Sequence, residues 1–350
     1  MADTNCPSVT REEGDHLSQL RMGLIGCGVM GRSLAESTAT TPSAAMAWVS
    51  DVDEEKGSAL AKDLDCGFHS DYHKAISGGD VDAVIIATPG FLHEAPALAI
   101  AEAGLHIFSE KPLAPTVESC DRMIAAAKDN NVKLGVGQVC RFHPVHRKVR
   151  DLVHGGEFGQ PTVMTVHRLG SGFKGIWRVP WRTSRAQSGG TLMEVNAHEI
   201  DFLRFVAGCD AKSVFAVGGN FVNKEIDFPD AALVTITFAN GAVASLHSSD
   251  VSVLGGYGGR VDCEMGSLTF PRFWGEGANL TCQIGEAEPV SIPVDELKAE
   301  LSPVAQEIQA FAEAILAGEE PPVTGEDGRA VVAIAEAAYQ SIESGQPVAL

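Results

Sequence analysis

The sequence predicts an α/β protein whose first half is a doubly wound parallel sheet and whose second half is largely an antiparallel sheet. Three observations predict it. Strand-like and helix-like patterns alternate from residue 21 to about 140. From about 160, strand-like runs follow one another with few helices between them. Between the first strand and the first helix, Gly26, Gly28 and Gly31 stand in G-x-G-x-x-G spacing.

Residues 1–20 hold Arg11, Glu12, Glu13, Asp15 and His16 and no apolar block, so they read as a loose tail and not a signal peptide. Two domains are expected after it, 21–140 and 141–350. In the first, strands are expected at 21–25, 46–50, 82–88, 105–109 and 133–139, with helices at 29–39, 54–64, 94–104 and 116–129. Such alternation implies right-handed crossovers and a sheet covered on both faces, with ligands beyond the strand C-termini. The residues expected there are Gly26, Cys27, Gly28, Val29, Met30 and Gly31, then Asp51, Thr88-Pro89 and Glu110-Lys111-Pro112.

Each glycine of the first turn has a job in a dinucleotide site. Gly26 makes the tight turn, Gly28 lets a pyrophosphate approach the backbone, and Gly31 lets helix pack on strand. The helix N-terminus adds free N–H groups and a partial positive charge. Asp51 ends the second strand 20 residues beyond Gly31, where an acid can pair with ribose hydroxyls and repel a 2′-phosphate. No arginine follows closely, so NAD is expected over NADP.

In the second domain, strands are expected at 161–168, 212–219, 231–238, 242–249, 260–264 and 279–284, interrupted by one helix near 190–207. Asn240-Gly241 marks a hairpin between two of these strands. Two helices close the chain. One begins at Ser302-Pro303 and ends before Gly318, and the other runs from about Gly328 to Ser344.

Composition narrows the classes. The chain carries 26 basic and 46 acidic residues, a net charge of −20 that disfavours nucleic acid as a partner. No apolar run reaches membrane-spanning length. Eight cysteines are scattered without a C-x-x-C pair, which suits a reducing cytoplasm better than a disulfide framework.

Three constellations can carry chemistry. Lys111, at the end of the fifth strand, can bond a substrate hydroxyl and stabilise its developing alkoxide. Glu194, His198 and Asp201 are spaced i, i+4, i+7, which on one helix shares a face, so a carboxylate can orient a proton-accepting imidazole. Glu194 and His198 have no convincing third partner for a metal, and none is expected. The loop 170–188 gathers Lys174, Arg178, Arg182 and Arg185 beside Trp177 and Trp181, suited to a polyol ring and its oxygens.

Together these motifs resemble the family of NAD(P)-dependent oxidoreductases named for glucose-fructose oxidoreductase, inositol dehydrogenase and MocA (Gfo/Idh/MocA). The likeness runs through Gly23-Leu24-Ile25-Gly26-Cys27-Gly28, Ile86-Ala87-Thr88-Pro89 with His93, and Glu110-Lys111-Pro112. It continues through Arg141-Phe142, Trp181-Arg182, Gly189-Gly190 leading to His198 and Asp201, and Thr324 to Gly328. The resemblance implies a Rossmann domain and an α/β domain with a large open sheet, through which a homodimer or homotetramer commonly forms. It implies closing helices near the domain junction. It further implies that His93, Glu110, Lys111 and Arg141 lie at the cofactor, and that Lys111, Arg141, Trp177, Trp181, Arg182, Glu194, Asn196 and His198 line the substrate.

The expected activity is oxidation of a secondary hydroxyl on a sugar, sugar derivative or cyclitol, with His198 taking the proton and Lys111 holding the oxygen. Glu194 and Asn196 depart from the aspartate and glycine that the family often has there, which bears on substrate choice. Two alternatives are a glycosidase that uses held NAD transiently and a non-catalytic NAD-binding regulator.

Overall fold

The computed structural model describes residues 19–170, 179–273, 279–297 and 299–350. Trp177, with Lys174 and Arg178, and nearly all of the expected tail lie outside the described residues. The parallel sheet consists of β1 (Leu20–Ile25), β2 (Ala44–Ser50), β3 (Gly67–His69), β4 (Ala83–Ile86), β5 (His106–Glu110) and β6 (Leu134–Gly137). Its order, 3-2-1-4-5-6, reverses between β1 and β4, opening a crevice at their C-terminal ends. Between the strands run α1 (Val29–Thr40), α2 (Glu54–Asp63), α3 (Tyr72–Ser77), α4 (Glu94–Glu102) and α5 (Val117–Asp129). All of β4 is buried, as a strand covered on both faces requires.

β3 and α3 are additions to the expected elements. Three residues are too few to show a period, and β3 is recruited by pairing with Trp48, Val49 and Ser50 of β2. A second addition is α6 (Pro144–His154), whose Val145, Val149 and Val153 form a buried stripe behind a first-turn proline.

The second sheet is formed by β7 (Pro161–Leu169), β8 (Ala211–Gly219), β9 (Ala231–Phe238), β10 (Val243–Ser249), β11 (Gly256–Cys263), β12 (Gly266–Phe270), β13 (Asn279–Ile284), β14 (Val290–Pro293) and β15 (Val348–Ala349). Their order is 14-13-12-11-7-10-9-8-15, and only the β7–β10 pair is parallel. The sheet has nine strands where six were expected. β11 starts among Gly256, Gly258 and Gly259, which lack strand propensity; side chains at the last two would strike Phe270 and Thr165 backbone oxygens. Asn240-Gly241 does turn the β9–β10 hairpin, with Gly241 at φ +90°.

The single helix expected near 190–207 is two. After α7 (Arg185–Ser188) come α8 (Thr191–Glu194) and α9 (Ala197–Ala207), with a break at Val195-Asn196. The closing helices are α10 (Pro303–Ala317) and α11 (Gly325–Ser344). Ser302 caps α10, while α11 begins three residues earlier than expected because Thr324 and Asp327 form a reciprocal capping box. Ile308, Phe311 and Ala312 of α10 pack with Leu20, Met22, Leu24 and Phe108 of the parallel sheet. On α11, side chains at Gly325 and Gly328 would strike Leu134 and Val136 of β6, so the helix lies close against that strand. One buried apolar cluster runs from Ile86 and Ile107 through Val331 and Ala335 to Val234 and Leu246.

Candidate active site

The crevice begins at the glycine turn. Gly26 has φ +98°, and a Cβ there would lie 2.8 Å from the Ala87 carbonyl carbon. At Gly31 a Cβ would lie 1.8 Å from the Gly26 oxygen, so helix and strand touch because there is none. A Cβ on Gly28 would meet nothing within 4 Å, leaving its backbone open to approach. Gly28 caps α1 without a side-chain bond, and the first turn (Val29, Met30, Gly31) holds no acid. Asp51 Oδ2 accepts from the Cys27 amide at 2.6 Å, and Oδ1 accepts from the Asp53 amide at 2.8 Å. Burial, reinforced by Asp51, pushes the Cys27 thiol up to about 12, so it stays neutral.

Thr88 and Pro89 follow β4, and the Thr88 hydroxyl is buried without a hydrogen-bond partner among the described residues. His93 is fully buried. Its Nε2 lies 2.7 Å from the Thr88 carbonyl, and its Nδ1 lies 3.3 Å from both the Leu113 carbonyl and the Ser109 hydroxyl. Burial holds this imidazole neutral. Both ring nitrogens face groups of the protein, and the ring ties the loop after β4 to the loop after β5.

Glu110 is buried at the end of β5, where its Oε2 accepts from the Lys111 amide at 2.9 Å. Burial, opposed by the Lys111 charge, pushes its carboxyl up to about 7. Lys111, joined to Pro112 by a cis bond, sends Nζ across to donate to the Glu194 carbonyl at 2.8 Å. Residues 83 apart in sequence thereby meet at the mouth of the parallel sheet. Glu194 has its side chain turned elsewhere, to Arg182 at 3.2 Å, in a pair that is nearly buried on both sides. Arg182 also stands 5.9 Å from the Trp181 ring centroid, and Trp181 is tilted against Phe91 at 6.1 Å.

His198 lies in the first turn of α9, partly open, with Nδ1 lacking a hydrogen-bond partner among the described residues. Burial pushes its pKa well below the ordinary value, and the Lys111, Arg168 and His146 charges push the same way. A neutral imidazole beside an ammonium is the arrangement a proton-accepting base requires. The i, i+4, i+7 expectation is corrected here. The break before α9 separates Glu194 from His198. The oxygens of Asp201 go to Arg141, at 2.7 and 2.8 Å, and neither carboxylate bonds the imidazole.

Arg141 is engaged by Asp201 and Asp327, where the two halves of the molecule meet. Asn196 is completely buried and does not face the cleft: it donates to Glu199 at 2.8 Å and accepts from Ser248 at 2.6 Å. A supporting layer beneath the site was not anticipated. Arg168 donates to the Val195 carbonyl and to Glu199, both at 3.2 Å, Tyr257 donates to Glu199, and Thr191 to Asp250. The signal for Arg168 is a cation two residues beyond Val166 on the buried side of β7.

Comparison with known proteins adds identity to this geometry. Residues 20–138 match the model for the oxidoreductase family with NAD-binding Rossmann fold, and residues 146–269 match the GFO/IDH/MocA C-terminal domain. The chain is 30% identical over 341 residues to the oxidoreductase YrbE of Bacillus subtilis (strain 168), covering 95% of this chain and 97% of that one. The chain belongs to the GFO/IDH/MocA oxidoreductase family. It is also 28% identical to myo-inositol 2-dehydrogenase of Thermotoga maritima, over 95% of this chain and 98% of that one. Among solved structures, aldose-aldose oxidoreductase from Caulobacter crescentus, complexed with glycerol, superposes with a TM-score of 0.85. It is 26% identical over 95% of this chain and all of that one.

As a member of this family the protein is an oxidoreductase with an NAD-binding domain, and its residues fit that cofactor. Gly28 leaves an open cradle, α1 offers uncapped amides, and the Thr88 hydroxyl is a buried polar atom still to be satisfied. No helix among the described residues is long and apolar enough to cross a membrane.

Proposed function

We propose that this protein is an NAD-dependent dehydrogenase that oxidises a secondary hydroxyl of a sugar, sugar derivative or cyclitol. The observation that carries the reading is the Lys111 Nζ–Glu194 carbonyl bond, which fixes an ammonium from the parallel half beside the helix bearing His198. Bound nicotinamide supplies the acceptor for the hydride leaving the substrate carbon. Lys111 donates to the substrate oxygen and stabilises negative charge as it develops. His198, neutral at rest, removes the hydroxyl proton and keeps it on its ring until the ketone leaves. Trp181 offers a face to the sugar ring, while Arg182 holds Glu194 in place beneath it.

Cofactor choice follows from Asp51. Its carboxylate stands at the end of β2, where a 2′-phosphate would be repelled. The nearest cation on α1, Arg32, is already paired with Glu36 and Asp63. We assign NAD over NADP on that ground, and a reducing compartment such as the cytoplasm on the free cysteines of the described residues.

A panel of sugars, cyclitols and glycosides assayed for NADH formation tests the reading. Lys111→Ala and His198→Ala should each lower turnover by on the order of 10²-fold while NAD binding stays nearly intact. Full activity in both variants would remove the assignment. Release of an aglycone without net NADH would point to a glycosidase instead.

A further inference from the structure

Arg141 stands in a short 3-10 turn, Val139–Phe142, directly after the last strand of the parallel sheet. Its side chain is only 10% exposed, and its Nε and one terminal nitrogen fork both oxygens of Asp201, at 2.8 and 2.7 Å. The other terminal nitrogen donates to Asp327 at 3.2 Å. Asp201 lies three residues beyond His198 on α9 and is wholly buried. Asp327 is the third residue of α11, where it also closes the capping box with Thr324, and it accepts from Arg204, one turn further along α9. The guanidinium of Arg141 also lies 5.1 Å from the Phe205 ring on the same helix. Two arginines and two aspartates thus alternate among three elements, and Arg204 also pairs with the more exposed Asp210.

Position in the chain gives this arrangement a task. Lys111 comes from β5 and His198 from α9, so the distance between ammonium and imidazole depends on how α9 sits against the parallel sheet. The sheet side of α9 is held from below by Asn196 and Glu199, through Ser248, Arg168 and Tyr257. The side toward the parallel half is held by Arg141. A bidentate fork fixes direction as well as separation, which a lysine's point charge cannot do.

We propose that Arg141 is a positioning residue that, through Asp201 and Asp327, sets the placement of His198 against Lys111, and does not itself bind nucleotide. The inference rests on the dehydrogenase reading for its effect on turnover, but not for its effect on α9. Such a network is worth keeping for geometry, because a displacement of about 1 Å at a reacting pair costs on the order of 10²-fold in rate. Removing one member leaves a buried charge without its partner.

The test uses the full chain with Arg141→Met, Arg141→Lys and Asp201→Asn. For each, kcat, the KM of the hydroxyl substrate, NAD affinity by fluorescence titration and amide hydrogen exchange over 197–207 are measured. The proposal expects kcat to fall at least about 10-fold in Arg141→Met and Asp201→Asn, with NAD affinity within about 3-fold and faster exchange along α9. Arg141→Lys should recover part of kcat. An NAD affinity weakened more than about 10-fold, with α9 exchange unchanged, overturns it in favour of a nucleotide contact. So does full activity in Arg141→Lys with unchanged exchange. If the unaltered protein turns over no member of the sugar panel, the dehydrogenase reading falls, and the exchange and NAD measurements still decide the role of Arg141.

Discussion

Glu110 shows how much a single residue's surroundings determine. Its neighbour Lys111 is charged and reaches into the site, yet burial dominates and lifts the Glu110 carboxyl to about 7. The consequence for stability has a definite sign. The folded chain binds a proton at Glu110 more tightly than the unfolded chain, whose glutamate titrates near 4.5. The associated stability is complete below that lower value and is lost as pH rises through about 7. The span of the shift corresponds to about 3 kcal/mol at most, reduced by whatever relaxation admits water. Glu110→Gln keeps the shape and removes the titration. Urea midpoints between pH 5 and 8 should therefore show the native protein losing stability relative to the variant as pH rises. Parallel profiles would mean that Glu110 is ionised throughout. Neither the shift nor the proton is legible in Glu110-Lys111-Pro112 as letters. What is legible is position, a charged pair at a strand end.

Elements were legible to the degree that each is fixed locally. The glycine turn, the Asn240-Gly241 hairpin and the Ser302-Pro303 start of α10 depend on backbone conformations that few residues accept, and all three are where the sequence puts them. The break between α8 and α9 depends on a partner 52 residues away, because Ser248 on β10 donates to Asn196 at the break. Both helices carry apolar residues at helical spacing, so periodicity alone joins them into one. His93, Arg141 and Asn196 share this difficulty. The direction of each side chain follows from a contact far along the chain, with Leu113, Asp201 and Ser248 in turn. The break predicts its own sensitivity. Asn196→Ala leaves the buried Ser248 hydroxyl without its acceptor and Glu199 without one donor, a loss of about 1–3 kcal/mol. Asn196→Asp should cost more, since it sets a second carboxylate against Glu199. Urea denaturation of the two variants gives the order, and an aspartate variant at least as stable as the alanine variant would overturn it.

At the scale of the molecule, a broad face left open among the described residues is the outer face of the nine-stranded sheet. Its inner face is closed by α9 and α11, but along the outer face Phe215, Val217, Leu233, Val243 and Val163 stand 37–53% exposed on four neighbouring strands. Register brings them together: Val217 pairs with Leu233, and Val243 pairs with Val163. With neighbouring strands about 4.8 Å apart, nine strands span about 40 Å, room for far more than the roughly 800 Å² per partner of a standard interface. A chain of net charge −20 repels its own copies over most of its surface, so association needs a face with few acids. The outward positions of β8, β9 and β10 offer one, carrying Ser213, Thr235, Thr237, Ser245 and His247 beside the apolar residues. The homodimer or homotetramer expected through this sheet is tested on this face. Leu233→Glu places a carboxylate near the centre of it and touches nothing in the core. Light scattering should give a multiple of one chain's mass for the native protein and a shift toward a single chain for the variant, with thermal stability of the isolated fold changed by no more than about 0.5 kcal/mol. A native protein that is already one chain, or a variant that keeps the native mass, would leave the sheet's outer face as plain solvent-facing surface and send the search for a contact to another part of the molecule.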